Sequence, residues 1–401
     1  MKSIVICNNL LKKQSPAACI EQDLLDGLSC NGIDITAYCS SLGDLYSPST
    51  HYKTIIGKEY KIWKYIFGGL RLVLPDLAYL PDYRYISWGL GIKNKIEQNI
   101  NKENIDFIHS FSFEQSCHWL AYKLNKRYKI PWIATFFDSW SDYPTRKFKT
   151  SYFKKIDLKM ERLVAEHADL IVHNNEGIAR LWAARYGEKV AKKIVVIPMN
   201  VDFSKETYIE RKREKSDKLI ISHIGTFYPK RDASSFIEAV NLAISNNLEL
   251  RSKIQVNFIG RVLDYDLDKI RRYKLDDIFN LTGRISPKEC QSYYNKSDIF
   301  LSTAGLPVED ITYPSKIIKY FFYRKPILGI SPHGTVLESE LVESRNFCFE
   351  PTSINEIADF IVNAISDYSS ICNIDYTFWK KFEVSEVSKL YINNIKKVVN
   401  G

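Results

Sequence analysis

Pro314-Ser315-Lys316 is the part of this chain whose residue types best fit an anion. It lies in a stretch from Leu306 to Ile330. Glu309-Asp310 precede it. An apolar-rich run to Tyr323, then Arg324-Lys325-Pro326 and the strand-like Ile327-Leu328-Gly329-Ile330, follow. Proline suits the first position of a helix, because its φ is already helical and its missing N–H would be unpaired there. A helix starting at Pro314 would point the free N–H groups of Ser315 and Lys316 outward. Such ends hold anions, since unpaired N–H groups and the helix dipole act together. Lysine opposes the dipole at a helix start, so its presence there suits a bound phosphate. An ordinary proline-started helix with a solvated lysine would carry the same residues.

The elements that must position this stretch alternate along the chain. Strand patterns fall at 4–7, 33–39, 105–109, 131–137, 170–173 and 194–197. Helical patterns fall at 19–31, 115–128, 153–167 and 177–186. A polar, mixed-charge stretch at 204–218 reads as an interdomain linker. The alternation then restarts, with strands at 219–224, 254–259, 298–301 and 327–330, and helices at 233–245 and 354–368. A last helical segment, 385–399, follows Trp379-Lys380-Lys381. Strands spaced by single helices predict parallel sheets covered on both faces. The expected fold class is therefore α/β. Two doubly wound, Rossmann-like domains at 1–203 and 219–377 would face a central cleft, where such sheets bind ligands at the carboxyl ends of their strands.

Composition narrows the classes of function. The chain has 401 residues, 45% of them apolar, which suffices for large cores. No apolar run reaches the roughly 18 residues that a spanning helix needs. The start, Met1-Lys2-Ser3 and then Ile4-Val5-Ile6-Cys7, turns polar too soon for a signal peptide and reads as a first strand. Eight cysteines at 7, 19, 30, 39, 117, 290, 348 and 372 form no CxxC pair. That predicts free thiols, a reducing compartment and no zinc site. A net charge of +9 with 13% aromatic residues suits an acidic partner: nucleic acid, an anionic membrane or a phosphorylated substrate. The charge is spread out and no recognition motif appears, so nucleic acid is the poorest of these. Between Tyr60 and Trp88, Trp63, Tyr65, Ile66, Phe67, Leu70, Leu72, Val73 and Leu74 interleave with Lys61, Lys64, Arg71 and Arg84. That pattern suits either an anionic lipid interface or a core helix.

Several stretches together carry a resemblance. They are Gly225-Thr226-Phe227-Tyr228 with Arg231-Asp232, Leu281-Thr282-Gly283-Arg284-Ile285 with Asp298-Ile299-Phe300-Leu301, and Glu309-Asp310 with Tyr313-Pro314-Ser315-Lys316. In the first half they are Asp138-Ser139-Trp140, His167-Ala168-Asp169, Asn175-Glu176-Gly177 and Val196-Ile197-Pro198-Met199-Asn200. In order and spacing the chain resembles the retaining nucleotide-sugar glycosyltransferases of the GT-B fold, in the branch that makes bacterial surface polysaccharides. The resemblance implies a nucleotide-diphosphate sugar donor and a glycan or polyprenyl-diphosphate-linked acceptor. It implies no cofactor and no metal. The protein would be cytoplasmic, peripheral on the inner face of the cytoplasmic membrane. The segment 378–401 would cross back onto the first domain.

The same resemblance assigns roles. Lys316 and Arg231 would meet the leaving phosphate, with Gly225 and Thr226 allowing close backbone approach. Ile285 would offer backbone groups to the base. Ser315 and Asp310 would complete the donor side. Glu309 would contact the donor sugar or its developing cation, and Asp138 the acceptor or sugar. His173 and His223 are expected to be structural, and His109 packed. Two positions depart from the pattern. Lys319 stands where the family usually has an acid for the ribose hydroxyls, and Phe137 where a basic residue is common. An ammonium can only donate hydrogen bonds, so ribose recognition must shift or weaken. A non-catalytic nucleotide-sugar-binding scaffold and an epimerase of the same plan are the rival readings.

Overall fold

The structure is a computed structural model. It describes residues 1–12, 16–40, 47–57, 61–80, 88–112, 115–143, 146–210, 218–305 and 313–401. The chain forms two compact units, Met1–Asp202 with Lys381–Gly401, and Phe203–Lys380.

Unit 1 is built on seven parallel strands: β1 (Lys2–Ile6), β2 (Asp34–Ser40), β3 (Lys53–Gly57), β4 (Phe107–Phe111), β5 (Trp132–Phe136), β6 (Leu170–His173) and β7 (Ile194–Val196). Their order is β3-β2-β1-β4-β5-β6-β7. A central parallel strand is covered on both faces, so it must be apolar on both. All five residues of β4 (FIHSF) and of β5 (WIATF) are buried accordingly. The C-terminal helix Val384–Asn400 packs in this unit, against helix Pro16–Cys30. At Gly27 a Cβ would meet Ser388 Oγ at 2.2 Å. The return of the chain is fixed by Val201 N donating to Phe382 O at 2.8 Å.

Unit 2 repeats the plan with six strands: β8 (Leu219–Ile224), β9 (Ile254–Ile259), β10 (Phe279–Gly283), β11 (Ile299–Thr303), β12 (Ile327–Ile330) and β13 (Phe347–Phe349). The order is β10-β9-β8-β11-β12-β13, again parallel. Strands β3, β10 and β13 escape the sequence pattern because they are edge strands: polar residues interrupt β3 and β10, and β13 has only three residues.

Two expectations change. Phe203, read as the end of the first domain, and residues 204–210, read as linker from their charge, belong to unit 2. Phe203 stacks on Phe322 with centroids 4.6 Å apart, and Asn295 Oδ1 accepts from Ile209 N at 2.8 Å. Residues 211–217 lie outside the described residues. Helix Lys61–Val73 is not a core helix. Tyr65 is 75% exposed, Leu72 88% and Val73 79%, whereas Trp63 and Phe67 are half-buried with rings 6.0 Å apart. The end of this helix is tied down by Asp76, whose carboxylate accepts from Lys149 N, Thr150 N and Thr150 Oγ1, each at 2.8 Å. Among the described residues no helix is long and apolar enough to cross a membrane.

Unit 1 holds three buried histidines, and His173 is the plainest. Among the described residues neither ring nitrogen has a hydrogen-bond partner, and the ring lies 4.8 Å from Trp182. Burial lowers its pKa to about 3. The unfolded chain takes up this proton near pH 6.5 and the folded one does not. Stability from this group is therefore complete above pH 6.5 and lost as pH falls toward 3. Each pH unit costs about 1.4 kcal/mol in that window. His173→Phe should flatten the acid limb by about that slope, read from thermal or urea unfolding between pH 7 and 5. Parallel pH curves for the two proteins would refute this.

Candidate functional site

In unit 2 the crossovers diverge on either side of β8 and β11. Open α/β sheets receive ligands at the carboxyl ends of their strands at such a point. Here the strand ends are glycines. Gly225, Gly260 and Gly283 have φ of +146°, +124° and +66°, a region that side chains rarely tolerate. Gly225 N donates to Ile259 O at 2.7 Å, Gly260 N to Gly283 O at 2.8 Å, and Phe227 N to Arg261 O at 3.0 Å. The approach is so close that a Cβ on Gly260 would stand 2.4 Å from Gly225 O. Backbone thus lies bare along the ends of three neighbouring strands.

Two expected cations reach this edge. Lys316 Nζ would be 3.6 Å from a Cβ on Gly225, which places it at the end of β8. Arg231 Cγ would be 3.5 Å from a Cβ on Gly305, just past the end of β11. Arg231 is carried there by a tight turn in which Tyr228 and Arg231 bridge and Lys230 adopts φ +69°. Thr226 is half-buried beside Gly225. Ile285 is half-buried between β10 and helix Pro287–Lys296, whose start is fixed by a Ser286–Glu289 capping box. The structure therefore gathers Gly225, Thr226, Lys316 and Arg231 at one edge of one sheet.

The helix start differs from expectation. The helix is Lys316–Phe322, with Ser315 as its cap and Pro314 before it. Ser315 is exposed and its side chain makes no capping hydrogen bond. The position of Lys316 is set by its own side chain rather than by the first turn: Nζ lies 3.0 Å from His223 Nε2. Buried hydrogen bonds hold this helix to β8, with Ile224 N donating to Tyr320 Oη at 2.9 Å. Lys319 points elsewhere. It donates to Glu206 Oε1 at 2.5 Å, and Tyr323 Oη donates to the other carboxylate oxygen at 3.0 Å. A carboxylate is thus present beside position 319, delivered by the segment that the sequence read as linker. Glu309 and Asp310 lie outside the described residues.

In unit 1, Asp138 is partly exposed in the loop after β5. Its neighbours are structural. Phe137 and Trp140 are buried, Phe137 O accepts from Asn174 Nδ2 at 2.6 Å, and Trp140 Nε1 donates to Asp157 Oδ1 at 2.9 Å. The loop is clamped to helix Ser151–His167 by two wholly buried acids, Asp157 and Glu161. Arg146 pairs with Asp157. Arg185 pairs with Glu161 at 2.9 Å and with Asp142 at 2.7 Å. Burial still holds Asp157 up to about 6 and raises Glu161 as well. The charges are affordable only because each is paired and hydrogen-bonded. Phe137 replaces a basic residue in a position that packs, so the exposed chemistry of this loop falls to Asp138.

Sequence reasoning missed the parts played by His223 and Glu206. His223 sits two residues before a strand-end glycine, on a strand whose side chains alternate between the two faces of the sheet. That spacing put it on Lys316's side of the sheet. Nothing local marked Glu206, whose partners are 113 and 117 residues away.

Comparison with known proteins gives the relationship. Residues 22–205 match the profile of Glycosyltransferase Family 4. An alpha-monoglucosyldiacylglycerol synthase of Streptococcus pneumoniae is 24% identical over 284 residues, 65% of this chain and 59% of that protein. The chain thus spans less than two thirds of that relative's length. Among solved structures, sucrose-phosphate synthase from Thermosynechococcus elongatus superposes with a TM-score of 0.67 at 12% identity, covering 100% of both chains. The Anabaena protein HepE, solved with UDP and glucose, gives 0.64 at 14% identity, covering 99% of this chain and 100% of that one. The lipopolysaccharide outer core galactosyltransferase WaaB gives 0.66 at 12% identity, covering 99% of each. These structural likenesses bear on the fold, and the profile match on residues 22–205. Together they give the chain the two-domain α/β GT-B fold, with residues 22–205 matching Glycosyltransferase Family 4.

Proposed function

We propose that this protein moves a sugar, with retention, from a nucleoside diphosphate sugar to a lipid-linked or glycan acceptor in bacterial surface polysaccharide synthesis. The observation that carries the reading is the pairing of Lys316 and Arg231 at the ends of β8 and β11, over bare glycine backbone. Cleavage of the donor leaves negative charge on the departing phosphate. Fixed cations and N–H groups aimed at that oxygen stabilise it most in a site of low water content. Retention by a front-face course uses the leaving phosphate to deprotonate the acceptor, so no protein nucleophile is assigned. Asp138 is proposed for the acceptor side and Glu309 for the donor sugar. Ser315, Asp310, Ile285 and Thr226 are proposed to complete the donor site. Glu206, held by Lys319 and Tyr323, is proposed to take over the carboxylate role that position 319 lacks. A donor of the UDP type is favoured, since HepE was solved with UDP and glucose.

The acceptor side is proposed to lie at an anionic membrane, on the inner face of the cytoplasmic membrane. Helix Lys61–Val73 supports this with its exposed aliphatic side chains. A groove of about 430 Å³ in the same unit, lined by Lys155, Leu158, Lys159, Arg162, Arg185 and Tyr186, adds charge through Lys155 and Lys159, since Arg185 is paired with Glu161 and Asp142. Basic residues near an anionic surface contribute roughly 1 kcal/mol each.

Two measurements test these readings. A charge-assisted hydrogen bond is worth about 1.5–3 kcal/mol, so Lys316→Ala should weaken UDP binding about ten- to a hundredfold by calorimetry. Unchanged affinity would remove the donor assignment. In liposome co-sedimentation, binding to anionic vesicles should fall but persist from low to high salt, because salt screens the charges and not the apolar insertion. Replacing Ile62, Ile66 and Leu72 with serine should abolish the salt-resistant part without unfolding the chain, since all three are exposed. Vesicle binding untouched by these substitutions would exclude this helix as the docking element.

A further inference from the structure

We infer that His223 is a positioning residue that fixes Lys316 for the donor phosphate; the inference rests on the donor reading above. His223 is wholly buried near the end of β8, a central strand of its sheet. Its Nδ1 lies 3.0 Å from Leu301 O. A carbonyl oxygen only accepts, so Nδ1 carries the hydrogen. The ring is neutral: burial, and then the adjacent Lys316, push its pKa well below the usual histidine range. Nε2 is therefore a bare acceptor, and Lys316 Nζ, 3.0 Å away, donates to it. One face of the ring stacks on Phe227, with centroids 3.7 Å apart and planes 17° from parallel. Tautomer and ring orientation are both decided before any ligand arrives.

The choice of partner has a chemical consequence. A lysine carries four rotatable bonds, and ordering it at the moment of binding weakens affinity. An imidazole acceptor removes part of that freedom in advance. It accepts one hydrogen of the ammonium and cancels none of its charge. A carboxylate at the same position would order the lysine equally well but would draw off the field that a phosphate needs. Neutrality of His223 is thus part of the device, and it is secured by Leu301 O and by burial on β11's side of the sheet.

Substitutions at this one position separate positioning from packing. UDP affinity is measured by calorimetry, with thermal unfolding of each variant alongside. His223→Phe keeps a ring against Phe227 and loses the acceptor; affinity should fall about fivefold. His223→Gln restores an uncharged acceptor and should return affinity to within about twofold of the original. His223→Glu keeps an acceptor but adds negative charge, and should bind UDP more weakly than the glutamine variant. Full affinity in His223→Phe, while Lys316→Ala is weakened, would overturn the inference and leave the donor reading standing. If Lys316→Ala binds normally, both fall. Failure of glutamine to rescue would reduce His223 to packing. Should the phenylalanine variant not fold, the glutamine–glutamate comparison decides, and equal affinities would overturn the inference.

Discussion

The contact between the Gly225 carbonyl and the bare α-carbon of Gly260 sets the geometry of the strand-end edge of unit 2's sheet. No side chain fits between them, since a Cβ there would be 2.4 Å from Gly225 O. Strands β8 and β9 can therefore end side by side, with Gly283 hydrogen-bonded in turn to Gly260. Backbone stays open where any larger residue would fill the space. Under the proposed function a ligand phosphate would approach this edge closely, and Lys316 and Arg231, near Gly225 and Gly305, would flank it. Positive φ at all three glycines makes the arrangement a property of residue type, not of side-chain packing.

The protein holds its charged groups in two ways. Lys316 is held by a neutral imidazole. In unit 1 the opposite solution clamps the loop of Asp138. Asp157 and Glu161 are buried without exposure, and each meets an arginine together with neutral donors such as Trp140 Nε1 and Ser141 N. Removing one member of such a group leaves an uncompensated buried charge, which costs far more than the pair contributes. The clamp fixes a loop, and the imidazole aims a cation; the two chemistries suit the two tasks.

Helix Lys61–Val73 follows a different rule. A soluble surface usually scatters its apolar residues, whereas here Ile62, Tyr65, Ile66, Leu70, Leu72 and Val73 are exposed along one short helix. Asp76 anchors its end to the start of helix Ser151–His167 through three hydrogen bonds. An anchored base with an uncovered apolar helix is the form expected of an element that meets an interface.

The sequence by itself determined the two-unit α/β plan, because buried parallel strands must be apolar on both faces and helices must cover them. FIHSF, WIATF and LIISHI could be read that way without coordinates. It also singled out Gly225, Arg231 and Lys316, which the structure brings to one edge of one sheet, since strand-end glycines and a lysine before an apolar helix carry their meaning locally. Edge strands such as FNLTG were hidden, because one polar face erases the pattern. Only the tertiary structure decided three further points. It moved Phe203 from the first domain, and residues 204–210 from linker, to unit 2, where Phe203 finds Phe322. It gave Lys319 a carboxylate from Glu206. It made His223, expected to be structural, the partner of Lys316. Each depends on a contact between residues about 93 to 119 positions apart in the chain. Charge and polarity along a sequence state what a side chain can bond, and the fold alone states which group stands opposite.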